Sequence, residues 1–324
     1  MRVLVLHSDV APDAPPDEQD TLITARAIAD ALRENKHEAT LAAFVPDPAA
    51  LKKIIESTRP QIVINMVESV FGEGAQACIA AAMLEKLGVA YTGVTAASMA
   101  VTGDKPLAKN ILRAAGLPTP DWSEPPHWEG LADGCKYVVK SATEDASLEL
   151  DDSAVVASAK AVRARAHYCA AKHGGRWFAE AYVEGREYNV AILEEDGAPR
   201  VLPIAEMQFV DWAADRPKIV GYAAKWDDAS KDSTNTVRVF GWEKDEPALY
   251  RALCENAQAA WKLFGLTGYA RVDFRVDARG APLILEINPN PCLEPKAGFA
   301  AAAGKAGLSY ADTIERILRA AKRK

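Results

Sequence analysis

The chain has 324 residues, 49% of them apolar, enough for about two domains with cores of their own, which excludes a small disulfide-stapled fold. Thirty-eight Lys and Arg against 45 Asp and Glu leave a net charge of −7, so the basic surface of a sequence-independent nucleic-acid binder is missing and no nucleic-acid partner is expected. The most apolar stretches, 77–83 and 297–303, are short, alanine-rich and far below the ~20 residues of a bilayer crossing, so no membrane partner is expected either. The opening residues run straight into a strand pattern with no cleavage signature, and the five cysteines are widely spaced with no C-x-x-C pair. A soluble, cytoplasmic protein without a disulfide framework or structural zinc is the expectation.

Residues 2–7 read as a buried strand and 22–35 as an amphipathic helix. The alternation continues with a strand at 39–45, a helix at 48–58, a strand at 61–67, a helix at 75–87 ended by Gly88, and a short strand at 89–93. Such βαβ alternation predicts a doubly wound parallel sheet. A helix at 105–115 stops at Gly116, and Pro118 and Pro120 forbid its continuation. A strand at 137–140, a helix at 154–172 and a strand at 177–183 form a small α+β unit. Beyond Gly185, alternating strands at 188–193, 201–207, 269–276 and 283–287, with one helix at 247–264, predict an antiparallel sheet under helical cover.

The segment 269–290 carries the chemistry. Period two places Arg271, Asp273 and Arg275 on one strand face, and Glu286 with Asn288 on one face of the next strand, opposite Leu285 and Ile287. A hairpin centred on Arg279-Gly280 sets Asp273 against Glu286 and Arg271 against Asn288. Facing carboxylates repel, so the arrangement asks for a cation, and two acids with an amide oxygen suit Mg²⁺. The competing reading makes both acids solvated and neutralised by Arg271 and Arg275. The Asn288-Pro289-Asn290-Pro291 continuation weighs against it, because it stops the strand with an amide beside the second acid.

Lys105 at a helix start and Lys140 at a strand end are point cations suited to phosphate, although each alone reads as a surface lysine. The connection Glu180-Ala181-Tyr182-Val183-Glu184-Gly185 offers backbone groups to an adenine edge, and Glu187 just beyond it offers a carboxylate to ribose hydroxyls. No Gly-x4-Gly-Lys-Ser/Thr and no strand-following Gly-x-Gly-x-x-Gly is present, so phosphate falls to lysines and metal.

In order, Asp104-Lys105, Val138-Val139-Lys140, 180–187, Gly268 to Asp273 and Leu285 to Pro291 resemble the ATP-grasp superfamily, and within it the D-alanine–D-alanine ligases. The likeness spans nearly the whole chain, from Tyr91-Thr92-Gly93 to the helix start at 306–310. It implies an α/β, ATP-grasp fold preceded by a doubly wound parallel-sheet domain, divided as 1–102, 103–179 and 180–324. It also implies a carboxylate–amine ligase: ATP phosphorylates a carboxylate and an amine attacks the acyl phosphate. By resemblance, Asp273, Glu286 and Asn288 ligate two Mg²⁺, with Mn²⁺ as a substitute. Lys105 and Lys140 contact phosphate, while Glu180, Tyr182 and Val183 border the adenine and Glu187 the ribose. Lys225 reaches the γ-phosphate from a mobile loop, and Arg271 neutralises the acyl phosphate and oxyanion. Amino-acid substrates and a homodimer complete what the family implies.

The departures are equally specific. Where the family has a Gly/Ser-rich loop over phosphate, this chain has Thr143-Glu144-Asp145-Ala146-Ser147-Leu148-Glu149, acidic and without glycine. Asn290-Pro291-Cys292-Leu293 replaces Ser-Pro-Gly-Met, and the Ser-Leu pair that holds the second D-alanine gives way around Lys296-Ala297-Gly298. His7-Ser8-Asp9 and Met66-Val67-Glu68-Ser69 replace the Gly-Gly and His-Gly signatures. A ligase with an acceptor other than D-alanine is therefore expected. A genuine D-alanine–D-alanine ligase, another ligase of the superfamily such as a glutathione-synthetase-like or peptide-tailoring enzyme, and a nucleotide binder without ligase activity stand as alternatives.

Overall fold

The computed structural model describes residues 1–11, 13–144 and 147–321; Asp145 and Ala146 of the acidic stretch lie outside them. The chain opens with β1 (Arg2–Ser8), α1 (Pro16–Glu34), β2 (Glu38–Phe44), α2 (Pro48–Thr58), β3 (Ile62–Met66) and α3 (Cys78–Leu87). The three strands form a parallel sheet in the order β2-β1-β3. Alternation along β1 decides what packs where. Val3 and Val5 face one core with Ile28 and Leu32 of α1, whereas Leu4 and Leu6 face another with Leu51 of α2 and Leu84 of α3. Both faces are covered, as a parallel sheet requires. Asp47 caps α2 by accepting from Ala49 N (2.8 Å), and Gly88 ends α3 in the left-handed region at φ +65°.

Next come α4 (Ala96–Thr102) and α5 (Lys105–Ala114), then a four-stranded unit of β4 (Trp122–Ser123), β5 (Tyr137–Ser141), β6 (Val155–Val156), α6 (Ala159–His173) and β7 (Trp177–Ala181), in sheet order β4-β7-β5-β6. The rest is β8 (Gly185–Glu195), β9 (Ala198–Val201), β10 (Ala205–Phe209), α7 (Tyr222–Trp226), α8 (Lys231–Asn235), β11 (Thr236–Val239), α9 (Pro247–Leu263), β12 (Tyr269–Asp277), β13 (Pro282–Asn288), α10 (Gly298–Lys305) and α11 (Tyr310–Ala321). Here the sheet is antiparallel, ordered β11-β10-β8-β12-β13 with β9 beside β8. One face packs on α9 through Tyr188, Val190, Val272, Phe274 and Trp261. The closing helices do not stay with this sheet alone: Phe299 of α10 and Ile314 and Leu318 of α11 share a core with β1, α1, Leu193 and Tyr269.

Several expected elements are redrawn. The strand at 201–207 splits into β9 and β10 because Pro203 has no N–H to give a ladder. The helix at 154–172 begins at Ala159, where Ser158 accepts from Ala161 N (3.1 Å); Val155 and Val156 ahead of it pair with β5 instead. The strand at 89–93 is a single bridge from Tyr91 to Val63, and Gly93 turns away at φ +89°. Helix α4 was not expected; Thr95 caps it by accepting from Ser98 N (3.2 Å).

Gly185 opens β8 where the interlobe connection meets β12, and a Cβ there would stand 2.0 Å from the Val276 carbonyl oxygen. Both atoms belong to paired strands, so neither yields cheaply. Gly185→Ala is expected to cost at least about 1–3 kcal/mol of stability in urea unfolding, with Gly304→Ala, which meets open space, as the mild control.

Candidate active site

The strand register brings the polar residues to one face. Arg271 pairs with Asn288 and Asp273 with Glu286 across β12 and β13; on the other side Arg271, Asp273 and Arg275 pair with Ala191, Asn189 and Glu187 of β8. Opposed residues point to the same side of a sheet, so the two acids, the amide and the arginines share it. The expected pairing of the acids is present, but by a different route. The turn closes with Asp277 N donating to Ala281 O (3.1 Å) and Gly280 at φ +80°, one residue out of the expected register. A bulge beside Asp273 corrects the slip: Phe274 pairs with Ile284, leaving Leu285 as the extra residue. Ile284, not Leu285, therefore joins Ile287 in the core.

Asp273 is buried and Glu286 half-buried. Asp273 accepts from Arg271 through both oxygens (Nε to Oδ1 2.8 Å, Nη2 to Oδ2 2.9 Å), and Asn189 Nδ2 donates to Oδ1 (2.8 Å). Burial nevertheless pushes its carboxyl above the usual range, helped by Glu286 and opposed by Arg271. Glu286 goes the other way. Burial would raise it, but Lys105, Lys140, Lys225 and Arg271 together hold it down at about 2. Lys105 Nζ stands 4.0 Å from Glu286 Oε2. The reading that Arg271 and Arg275 neutralise both acids holds for one contact only, since Arg275 turns to Glu187 (3.1 Å) and Glu286 faces the lysines.

Two carboxylates and the Asn288 amide oxygen, which already accepts from Asn290 N (3.1 Å), are hard donors. Such a set fits Mg²⁺ and leaves coordination to water and phosphate oxygens.

Lys105 and Lys140 are not surface residues. Lys105 is 5% exposed, its Nζ donates to Glu144 O (2.9 Å), and its own N–H ties α5 to Ala142 after β5 (2.9 Å). Lys140 pairs with Glu180 (2.7 Å), and Lys109, one helical turn beyond Lys105, pairs with the other oxygen of that carboxylate. Lys109 is 1% and Glu180 2% exposed. Burial, with Lys140 as a like charge, brings Lys109 down to about 8 against the pull of Glu180. Lys225 on α7 retains exposed surface on the residue as a whole, yet desolvation of its ammonium and the nearby Arg271 lower its pKa. Burial raises Glu187, with Arg275 opposing.

In the interlobe connection, Ala181 N donates to Asp121 O (2.8 Å) and Tyr182 N to Lys136 O (2.9 Å), and the Tyr182 hydroxyl accepts from Lys218 N (2.9 Å). Among the described residues this leaves the Val183 and Glu184 N–H groups without a backbone acceptor. The two described acids of the stretch at 143–149, Glu144 and Glu149, are occupied elsewhere. Glu144 accepts from Gly74 N through both oxygens (3.1 Å each), and Glu149 is clamped by Lys172 (2.6 Å), His173 (2.9 Å) and Arg165 (3.1 Å). Burial opposes its charge, but these partners hold Glu149 at about 2. Ser147 and Glu149 adopt φ of +60° and +54°, so the chain turns here without glycine.

Sequence reasoning passed over Lys109, Asn189, Arg238 and Arg275 as site residues. Lys109 was signalled by its i+4 spacing from Lys105, and Asn189 by its period-two spacing from Glu187. The strand β11 that carries Arg238 was not expected. Cys292 points its thiol at Asp20 Oδ2 (3.2 Å), and burial pushes that thiol up.

A parallel-sheet unit, a small antiparallel unit and a larger antiparallel sheet with paired acids and converging lysines define an ATP-grasp enzyme, an ATP-dependent ligase forming carbon–nitrogen bonds. A sequence model described as D-ala D-ala ligase C-terminus matches residues 132–319. The D-alanine–D-alanine ligase of Anaeromyxobacter sp. (strain K) is 30% identical over 309 residues, 93% of this chain and 92% of that protein. The uncharacterized protein y4sG of Sinorhizobium fredii is 30% identical over 324 residues, 96% of this chain and 90% of that protein. The crystal structure of the Bacillus anthracis D-alanine–D-alanine ligase complexed with ATP superposes with a TM-score of 0.75 at 22% identity, covering 100% of this chain and 98% of that one. The chain belongs to the D-alanine–D-alanine ligase family. None of the described helices is long and apolar enough to cross a membrane.

Lys109→Met would leave the buried Glu180 with Lys140 alone. A loss of about 3–5 kcal/mol in urea unfolding at pH 7 is expected, with part recovered in Lys109→Met/Glu180→Gln because no carboxylate is then left underpaired.

Proposed function

We propose that the protein joins two amino acids, activating the carboxylate of one with ATP as an acyl phosphate and letting the amine of the other displace phosphate to form an amide. The pairing of Asp273 with Glu286 beside the Arg271 guanidinium carries this reading: it sets a cation-binding acid pair next to a fixed positive charge on one sheet face. Lys105, Lys140 and Lys225 are the cations for the phosphates, and Arg271 stabilises the negative charge that grows on the acyl oxygens. Lys140 then shares its charge between phosphate and Glu180, whose carboxylate lines the adenine side, with Tyr182 and the Val183 backbone beside it. Glu187, steadied by Arg275, accepts from the ribose. Asp273, Glu286 and Asn288 would hold two Mg²⁺, or Mn²⁺ in their place, supplying charge neutralisation to the phosphates when bound.

The partners of Glu144 and Glu149 weaken the objection that acidic charge in this stretch keeps phosphate away, because that charge is engaged by Gly74 and by the α6 cations. Identity to the Anaeromyxobacter enzyme favours a second reading, D-alanine–D-alanine synthesis itself. The altered residues around Cys292 and Lys296-Ala297-Gly298 favour a different acceptor.

Given ATP, Mg²⁺ and pooled amino acids of both hands, the protein is expected to release phosphate in step with a dipeptide; D-alanine supplied alone separates the two readings. Arg271→Met is expected to lower kcat by about 10²–10³-fold. Glu286→Gln is expected to abolish turnover, and undiminished phosphate release from it would contradict the acid-pair assignment.

A further inference from the structure

Arg238 lies on the face of the sheet that holds the acids. It pairs with Met207 of β10, Met207 pairs with Glu187 of β8, and Glu187 with Arg275 of β12. Arg271 and Arg275 each have a carboxylate partner. Arg238 has none within 4.0 Å among the described residues, and its Nε is buried with no acceptor. Among the described residues its one hydrogen bond is from Nη1 to Lys296 O at 3.4 Å. The guanidinium lies against Gly298, where a Cβ would meet Nε at 3.7 Å and Nη2 at 3.9 Å. Glu294, the nearest acid along that loop, spends Oε2 on Lys296 N (2.6 Å). The like charge of Arg271 reaches Arg238 as well.

A half-buried guanidinium whose Nε has no acceptor, lying beside another arginine and without a counter-ion, is costly, and an anion of matching planar geometry relieves it. We propose that Arg238 binds a carboxylate carried by the amine substrate and so selects an acidic acceptor; the inference rests on the ligase reading. The place supports the assignment. Arg238 reaches from β11 to the segment Lys296-Ala297-Gly298, where Nη1 meets the Lys296 carbonyl and Gly298 lies alongside its plane. An amine substrate anchored by its carboxylate at Arg238 has its nitrogen free to approach the acyl carbon at Arg271.

The test supplies ATP, Mg²⁺ and an equimolar mixture of α-amino acids and their α-carboxamides, and resolves dipeptide acids from dipeptide amides by mass. Carboxamides accept but cannot donate, so the acid-to-amide ratio reads acceptor choice within each variant, independent of its total rate or folded fraction. The wild-type protein is expected to favour acid products by at least about tenfold. Arg238→Met should bring the ratio towards one, and Arg238→Lys should restore part of it. A second arm compares aspartate and glutamate with asparagine and glutamine as acceptors. Loss of selectivity in the first arm assigns the α-carboxylate to Arg238, and loss in the second a side-chain carboxylate. An Arg238→Met ratio equal to wild type in both arms overturns the inference alone. If Arg238→Met does not fold, an unchanged ratio in Arg238→Lys does the same. Absence of any dipeptide product, acid or amide, from the wild-type protein overturns the ligase reading and takes the inference with it.

Discussion

Two carboxylates facing each other inside a sheet are the constraint around which this molecule is arranged. Asp273 and Glu286 would repel at close range with little water to screen them, so the chain surrounds them with cations of different reach. Arg271 forks Asp273 directly, whereas Lys105, Lys140 and Lys225 act on Glu286 from a distance and hold it ionised. The asymmetry matters. Asp273 has its oxygens committed to Arg271 and Asn189, while Glu286 meets its cations through space. In the proposed function the Asp273 oxygens that Arg271 now holds would be needed for a divalent ion, which would leave that guanidinium for the reacting carboxylate.

Charge is managed with equal economy on the other side of the cleft. Glu180 is buried between Lys109 and Lys140, so the wall beside the interlobe connection is a closed three-membered network and not a loose lysine. Glu144 reaches across to the Gly74 amide of the first unit, and Glu149 docks on the basic end of α6. These contacts tie the stretch after β5 to two different units. The Glu144 and Glu149 carboxylates thus point at partners of their own, and the chain turns through left-handed conformations at Ser147 and Glu149 without glycine.

The hairpin was legible in the sequence because period-two alternation and the Arg279-Gly280 turn are local signals, and the parallel sheet because short apolar strands alternate with helical stripes along the chain. Their joint outcome at the acids was right for a partly wrong reason: the turn closes one residue out, and the bulge at Leu285 restores the opposition. What could not be read was tertiary. Burial of Lys105 and Lys109 depends on β5 and β7 folding over α5, and Arg238 matters only because β11 joins the edge of a sheet begun fifty residues earlier. Nothing in the local pattern of α11 says that it packs on the first unit and not the last.

The account stands or falls on where a divalent cation binds. Anomalous diffraction from crystals grown with Mn²⁺ and a non-hydrolysable ATP analogue tests this most directly. A manganese peak between the Asp273 and Glu286 carboxylates, with the Arg271 guanidinium lifted from Asp273, is the expected result. An intact Arg271–Asp273 fork with no peak between the two acids at saturating manganese nucleotide would contradict it.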